Sequence, residues 1–203
     1  MEEYRIKELP RGLSLVLGSA SPRRRELLGG MGLDFTVRVS EADENLPSGT
    51  HPREAVRLLA VRKAEAVAAS LGENTVVLAA DTLVALGSEA LGKPRDAEDA
   101  CAMLRALSGR THEVYTGVAL MLNGRCVSDA DATAVRFRDL TDAEIADYVA
   151  TGEPMDKAGA YGIQGLGGRL VAATEGAFDN VVGLPCRLVD ELLFRLLSEV
   201  GAL

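Results

Sequence analysis

Apolar and polar positions change period several times along the chain, and each change marks an element. Leu13–Gly18 (LSLVLG) is a short continuous apolar run that predicts a buried strand. Ser21 then supplies an N-cap and Pro22 a first-turn proline, so RRRELLGG reads as a helix stopped by glycine. Residues 33–39 (LDFTVRV) alternate like a strand, and 40–50 (SEADENLPSGT) reads as a polar loop. From Pro52 to Leu71, Ala55, Leu58, Leu59, Ala66 and Val67 recur at helical spacing. Thr75–Leu86 is rich in β-formers but interrupted by Asp81-Thr82. Asp96 caps a helix reaching Leu107, with Glu98 and Asp99 in its first turn favouring the dipole. His112–Leu122 and Arg125–Phe137 flank Asn123-Gly124, the strongest short-range hairpin signal. Thr141-x-x-Glu144 is a capping box opening a helix to about Ala150. Pro185 starts a last amphipathic helix with Leu188, Leu192, Leu196 and Val200 on one stripe. Residues 152–183 carry eight of the 21 glycines, which reads either as shaped loops around a ligand or as ordinary loop punctuation. This order of elements predicts an α/β fold with a long hairpin, hence a mixed sheet.

Composition narrows the function. The 203 residues suit one domain, or two small lobes around a shared core, burying roughly 70% of the unfolded surface. At 47% hydrophobic and 26% charged, disordered and fibrous classes are excluded. No apolar run approaches the ~20 residues of a membrane helix, and MEEYRIKELPRG lacks the apolar region of a secretory signal. Cys101, Cys126 and Cys186 have no paired spacing, so a reducing cytoplasm is the simplest compartment. A net charge of −8 with no Trp argues against nucleic-acid binding. A small anionic substrate needs cations gathered locally.

Two phosphate motifs fail. Gly87, Gly92 and Lys93 have Walker A spacing, but Pro94 offers neither a hydroxyl for Mg²⁺ nor an amide hydrogen. Gly165-Leu166-Gly167 opens like a dinucleotide fingerprint, but Leu170 stands where the third glycine belongs. The Gly18–Arg25 segment is more informative. A strand entering a helix N-terminus presents unbonded amides, Ser19 and Ser21 add hydroxyls, and Arg23 and Arg24 can fork onto phosphate. The plainer reading is a solvated helix end with an Arg23–Glu26 pair. Asp81 is the second anomaly: a carboxylate in a buried strand is costly unless paired or facing an opening. Its plainer reading is a turn between two short strands. Glu41, Asp43 and Glu44 form an acidic cluster, and Lys63 and Lys93 stand as isolated cations. His51 and His112 receive no role.

Taken together, these segments resemble the Maf family of nucleotide pyrophosphatases, historically tied to inhibition of septum formation. The matching stretches are Ser19-Ala20-Ser21-Pro22-Arg23-Arg24, Asp43-Glu44, Lys63-Ala64, Ala80-Asp81-Thr82, Gly92-Lys93-Pro94, Leu107-Ser108-Gly109 and Val114-Tyr115-Thr116-Gly117, then DKAGAYGIQG from Asp156 to Gly165 and NVVGLP from Asn180 to Pro185. They run in order from about residue 13 to 195, and DKAGAYGIQG resembles the branch acting on dTTP and UTP. One departure is Gly18, where alanine is usual.

The resemblance implies a single Maf-like domain over residues 1–203, with an elongated mixed sheet and flanking helices in two lobes around a cleft, like inosine triphosphate pyrophosphatases. It implies hydrolysis of a nucleoside triphosphate to monophosphate and pyrophosphate with Mg²⁺ or Mn²⁺. Asp81 is then the general base and, with Glu44, the metal ligand. Ser19, Arg24, Lys63 and Lys93 hold the phosphates, with Lys157 a lesser addition. Arg23, Thr82 and Gln164 match base-selecting positions, and the Gln164 amide complements the O4 and N3–H of uracil or thymine. No nucleic acid or membrane partner is expected, the location is cytoplasmic, and the oligomeric state stays open with a homodimer among the options. The alternatives are the 7-methyl-GTP branch, which the Gln164 motif disfavours, and a non-catalytic nucleotide-binding regulator of septum formation, which would not need a general base.

Overall fold

Ser21 sits in extended backbone (φ −61°, ψ 118°) and accepts a hydrogen bond from the Arg24 amide, so the first helix, α1 (Pro22–Gly30), starts where capping chemistry places it. The same logic holds at Asp96, which caps α3 (Ala97–Leu107) through the Asp99 amide. Thr141 and Glu144 close a reciprocal capping box on α4 (Asp142–Ala150). In this computed structural model, which describes residues 4–39, 41–47 and 49–203, the remaining elements are β1 (Ser14–Leu17), β2 (Thr36–Val37), α2 (Pro52–Ala68), β3 (Thr75–Leu86), β4 (Glu89–Leu91), β5 (Thr111–Leu122), β6 (Arg125–Phe137), β7 (Val171–Glu175), α5 (Phe178–Val182) and α6 (Cys186–Glu199). Residues 1–3 of the expected polar N-terminus, and residues 40 and 48 of the expected polar loop, lie outside the described residues.

The strands form one mixed sheet ordered β2-β1-β3-β5-β6-β7, with β4 paired to β3. β1 pairs in parallel with β2 and β3, whereas β3–β4 and β6–β7 are antiparallel. The mixed α/β class with flanking helices is therefore as expected. The hairpin also forms as read: Asn123 (φ 48°) and Gly124 (φ 79°) both take the left-handed conformation of a type I′ turn joining β5 to β6.

Contacts divide the chain into two compact units. The first comprises the chain up to Asp81, Thr116–Asp131 and Gly183–Leu203. Its main core gathers β1, β3, β5 and α6 residues such as Leu17, Leu78, Leu120 and Leu193, and α2 packs Ala60, Ala64 and Val67 on Val77 and Ala119. Asp190, on α6, accepts from the amides of Arg5 and Ile6 at 3.0 Å each and so staples the N-terminal segment to this helix. The second unit comprises Thr82–Tyr115 and Ala132–Val182, with a core built on Leu104, Leu107, Phe137, Ile145 and Tyr161. Asn180 is fully buried there, donating to the Val114 carbonyl and to Thr133 Oγ1 at 2.9 Å each.

Several expectations change. Asp81-Thr82 is no turn: β3 runs unbroken for 12 residues, and its burial lapses to intermediate at 81–83. The strand expected over 33–39 shortens to Thr36–Val37. On α6 the buried face includes Val189, Leu193 and Leu197 besides Leu192 and Leu196, whereas Val200 is exposed. The glycine-rich stretch is not only loop; it contains three 3-10 turns, β7 and α5. Gly18 has ordinary contacts of 3.4 Å around its imagined Cβ, so the alanine usual in relatives would fit here.

His112 is 1% exposed, edge-on to Phe137 and Tyr161, with its Nε2 at 2.8 Å from the Tyr161 hydroxyl. Burial lowers its pKa from 6.5 to about 4. The unfolded chain therefore takes up a proton near pH 6.5 that the folded chain refuses until about pH 4, so this contribution is full above the unfolded pKa and lost as pH falls. The fall is roughly 2.5 kcal/mol by pH 4.5. Urea unfolding at pH 7 and 4.5 should show His112→Gln losing less stability than the parent by about that amount; equal losses would remove His112 as the cause.

Candidate active site

The first unit brings five of the expected residues together. Ser19 follows the C-terminal end of β1, Arg24 lies in the first turn of α1, Lys63 lies on α2, Asp81 is on β3, and Glu44 is in the connection after β2. Lys63 Nζ is 2.5 Å from Asp81 Oδ1 and 2.7 Å from Glu44 Oε1. Lys63 and Asp81 are each 15% exposed while Glu44 is 65% exposed, so one end of this three-charge chain is sheltered and the other wet. The desolvation of Asp81 that looked costly in the sequence is offset by this ammonium.

Two neighbouring residues on α2 hold the acidic loop. Arg62 Nη1 donates to the carbonyls of Asp43 and Asn45 at 3.3 and 2.6 Å, next to the Lys63 bond to Glu44. Asp43 turns inward on its own loop, accepting from the amide and side chain of Asn45 at 3.0 and 2.6 Å. Of the acidic cluster, Glu44 is thus the member aimed at Lys63, which spacing alone did not distinguish.

Arg24 has a task the sequence did not reveal. Its Nε donates to the Gly183 carbonyl at 2.8 Å, and its Nη1 to the Ala80 carbonyl at 2.8 Å and Ser19 Oγ at 3.3 Å. The guanidinium thus ties the β1 end, the residue before Asp81 and the NVVGLP segment. Burial pulls the Arg24 pKa down, Asp81 opposes the fall, Arg23 adds to it, and Glu44 opposes it again. An arginine keeps its charge at neutral pH through such shifts. Ser19, itself buried, also accepts from the Ser21 amide at 3.2 Å.

The remaining expected residues are placed as follows. Arg23 is half-buried in the first turn of α1. Thr82 directly follows Asp81 on β3 and is half-buried, and Lys93 is exposed in the loop after β4. Gln164 is exposed in a turn closed by the Gly165 amide on the Gly162 carbonyl at 3.3 Å. Thr82, Lys93 and Gln164 belong to the second unit. Lys157 is already engaged, donating to the Glu153 carbonyl at 2.7 Å and to Asp156 at 2.6 Å. The rejected Walker segment is the β3–β4 hairpin and the loop beyond it.

Among the described residues no group of three or more His, Cys, Asp or Glu is placed to hold a metal. Two carboxylates do converge on one centre of positive charge, at Lys63 Nζ. A pair of hard oxygen donors completed by water and substrate phosphate is how Mg²⁺ is usually held, so Glu44 and Asp81 fit such an ion.

A helix start bearing serines and arginines beside a lysine-bridged carboxylate pair, on a mixed α/β sheet, defines a phosphate-handling α/β protein. The chain belongs to the Maf-like protein family, whose model matches residues 14–196. It is 53% identical over 188 residues to a dTTP/UTP pyrophosphatase of Desulfitobacterium hafniense, covering 90% of this chain and 85% of the relative. It is 56% identical over 185 residues to a dTTP/UTP pyrophosphatase of Anaeromyxobacter dehalogenans, covering 89% and 93%. Among solved structures, the Staphylococcus aureus Ham1 protein shares the fold, with a TM-score of 0.51 at 14% identity over 92% of this chain and 99% of that one.

Proposed function

We propose that this chain, acting as one Maf-like domain over residues 1–203, hydrolyses dTTP and UTP to the monophosphate and pyrophosphate. The observation that carries the reading is the Asp81–Lys63–Glu44 constellation beside the start of α1, in a chain more than half identical to relatives named for that activity. With Lys63 on Oδ1, Asp81 Oδ2 is the oxygen to take the proton from the water attacking the α-phosphorus. Lys63 and Lys93 neutralise triphosphate charge. Arg24, tied to Gly183, Ala80 and Ser19, adds its positive charge, and Ser19 and the first amides of α1 add neutral donors. A divalent ion, Mg²⁺ or Mn²⁺, held by Glu44 and Asp81 would supply further neutralisation of the phosphate oxygens. The names of the relatives favour this substrate over 7-methyl-GTP, and a carboxylate held against a lysine favours catalysis over a purely regulatory binder. No described helix is long and apolar enough to cross a membrane; we place the enzyme in the cytoplasm, without nucleic acid as a partner, and a homodimer is the assembly to test.

Attack at the α-phosphorus leaves the β–γ unit whole. Purified enzyme given dTTP or UTP should therefore release pyrophosphate as the primary inorganic product, measured apart from orthophosphate. Orthophosphate as the first product would overturn the assignment.

Base choice rests on Arg23, Thr82 and above all Gln164, whose amide can both donate and accept toward O4 and N3–H. Gln164→Leu leaves that edge unmatched, at roughly 1–3 kcal/mol, or about 5- to 150-fold in kcat/KM for dTTP and UTP. Purine triphosphates, which share only the phosphate contacts, should lose far less. Equal losses on both classes would withdraw the specificity role and leave the hydrolase standing.

A further inference from the structure

Gln164 lies in the turn from Gly162 to Gly165, and that turn is anchored from one carboxylate. The carboxylate of Glu153, in the 3-10 turn Glu153–Asp156 that follows α4, accepts three hydrogen bonds. Its Oε2 takes the Leu166 amide at 2.9 Å, and its Oε1 takes the Gly167 amide at 3.0 Å and the Tyr148 hydroxyl at 2.9 Å. The Tyr148 hydroxyl in turn accepts from the Gly162 amide at 3.1 Å. One carboxylate and one phenol therefore hold the backbone on both sides of Gln164.

The glycines of the turn show how closely this support sits. A Cβ on Gly165 would lie 2.5 Å from Glu153 Oε2, and a Cβ on Gly162 would lie 2.6 Å from Cε of Lys157. Lys157 is itself fastened to the Glu153 carbonyl at 2.7 Å. A β-carbon at 162 or 165 would have to displace these supporting side chains. Burial pushes the Glu153 carboxyl up, but the Gly167 and Leu166 amides, the Tyr148 hydroxyl and the Lys157 ammonium together hold it below the usual carboxylate range. Burial pushes the Tyr148 hydroxyl up, so it stays a donor at neutral pH.

We propose that Glu153 is a positioning residue for base selection: its carboxylate, bonded to the Leu166 and Gly167 amides and through Tyr148 to Gly162, sets the turn that presents Gln164. The inference rests on the pyrimidine-reading role given to Gln164 above and deepens it. In Glu153→Gln one oxygen becomes an NH₂ group, and placing the retained oxygen on Tyr148 and Gly167 turns that NH₂ against the Leu166 N–H. The turn loses a charge-assisted bond and gains an opposed pair of donors.

The test compares kcat/KM for dTTP, UTP and a purine triphosphate in the parent, E153Q, Y148F, Q164L and the E153Q/Q164L double variant. E153Q should lower the pyrimidine-over-purine ratio by about tenfold, the low end for a lost bond to a charged group, mainly through KM. In the Q164L background the same change should leave the ratio where Q164L put it, because the group being positioned is gone. Y148F keeps the buried ring but removes both hydroxyl bonds; it should shift the ratio in the same direction and serves if E153Q does not fold. An E153Q that lowers both substrate classes equally, or lowers the ratio again in the Q164L background, would overturn the proposal, as would an unchanged ratio in folded Y148F. If Q164L itself keeps the parent's ratio, the base-reading role fails first and this inference with it, a pattern told apart by which single variant is silent.

Discussion

The Asp81→Asn variant is expected to hydrolyse dTTP and UTP about 10²- to 10⁴-fold more slowly than the parent. Asparagine matches aspartate in size, and its Oδ1 can still accept from Lys63, which sits at 2.5 Å in the parent. What it lacks is a lone pair basic enough to take a proton from the attacking water. The loss of negative charge also weakens the oxygen pair that Asp81 forms with Glu44 on Lys63 Nζ, so any divalent-ion requirement should become steeper. Steady-state turnover at saturating dTTP, with a thermal melt showing intact folding, is the measurement. Turnover within a few-fold of the parent would make Asp81 a structural counter-charge for Lys63 and move the base elsewhere.

The Gly117→Ala variant is expected to lose about 3 kcal/mol or more, at the severe end of overpacking, because the atoms it meets are backbone. A Cβ on Gly117, in β5, would sit 2.3 Å from the carbonyl carbon and oxygen of Val56 and 2.6 Å from the Arg57 amide. A side chain can swing aside, but the body of α2 cannot move without dragging its other contacts. Lys63 is on the same helix, less than two turns further on, so its bonds to Asp81 and Glu44 would shift with it. A melting temperature lower by about 6–12 °C, with kcat reduced even below the melt, is the expected result. A melting temperature within about 2 °C of the parent would show that α2 can back away from β5 at little cost.

The local features of this fold were written in the sequence because their partners lie within three or four residues. Ser21 reaches the Arg24 amide, Asp96 the Asp99 amide, and Thr141 and Glu144 each other. The Asn123-Gly124 turn likewise needs only its own two residues to accept left-handed backbone. Family resemblance extended this to a set of site residues, but not to their arrangement. Propensity reads Asp81-Thr82 as a break, since a carboxylate in an apolar run has no visible partner. The strand continues because β1 pairs with its first half, at Ser14–Leu17 against Thr75–Leu78, and Lys63 answers the charge from 18 residues away. β7 is exposed over most of its length and exists through its ladder to Ala134–Phe137.

The same division runs through the site. That Arg24 is cationic and Glu153 anionic is a property of each residue alone. That Arg24 spends donors on Gly183, 159 residues away, and on Ala80 depends on chain segments that meet only after folding. Glu153 reaches Leu166 and Gly167 across 13 and 14 residues of irregular backbone, a span with no period to read. Sequence patterns carry interactions that repeat with the pitch of a helix or the alternation of a strand. A site assembled from the ends of several elements has no such repeat, so its geometry is set by packing and long-range hydrogen bonds.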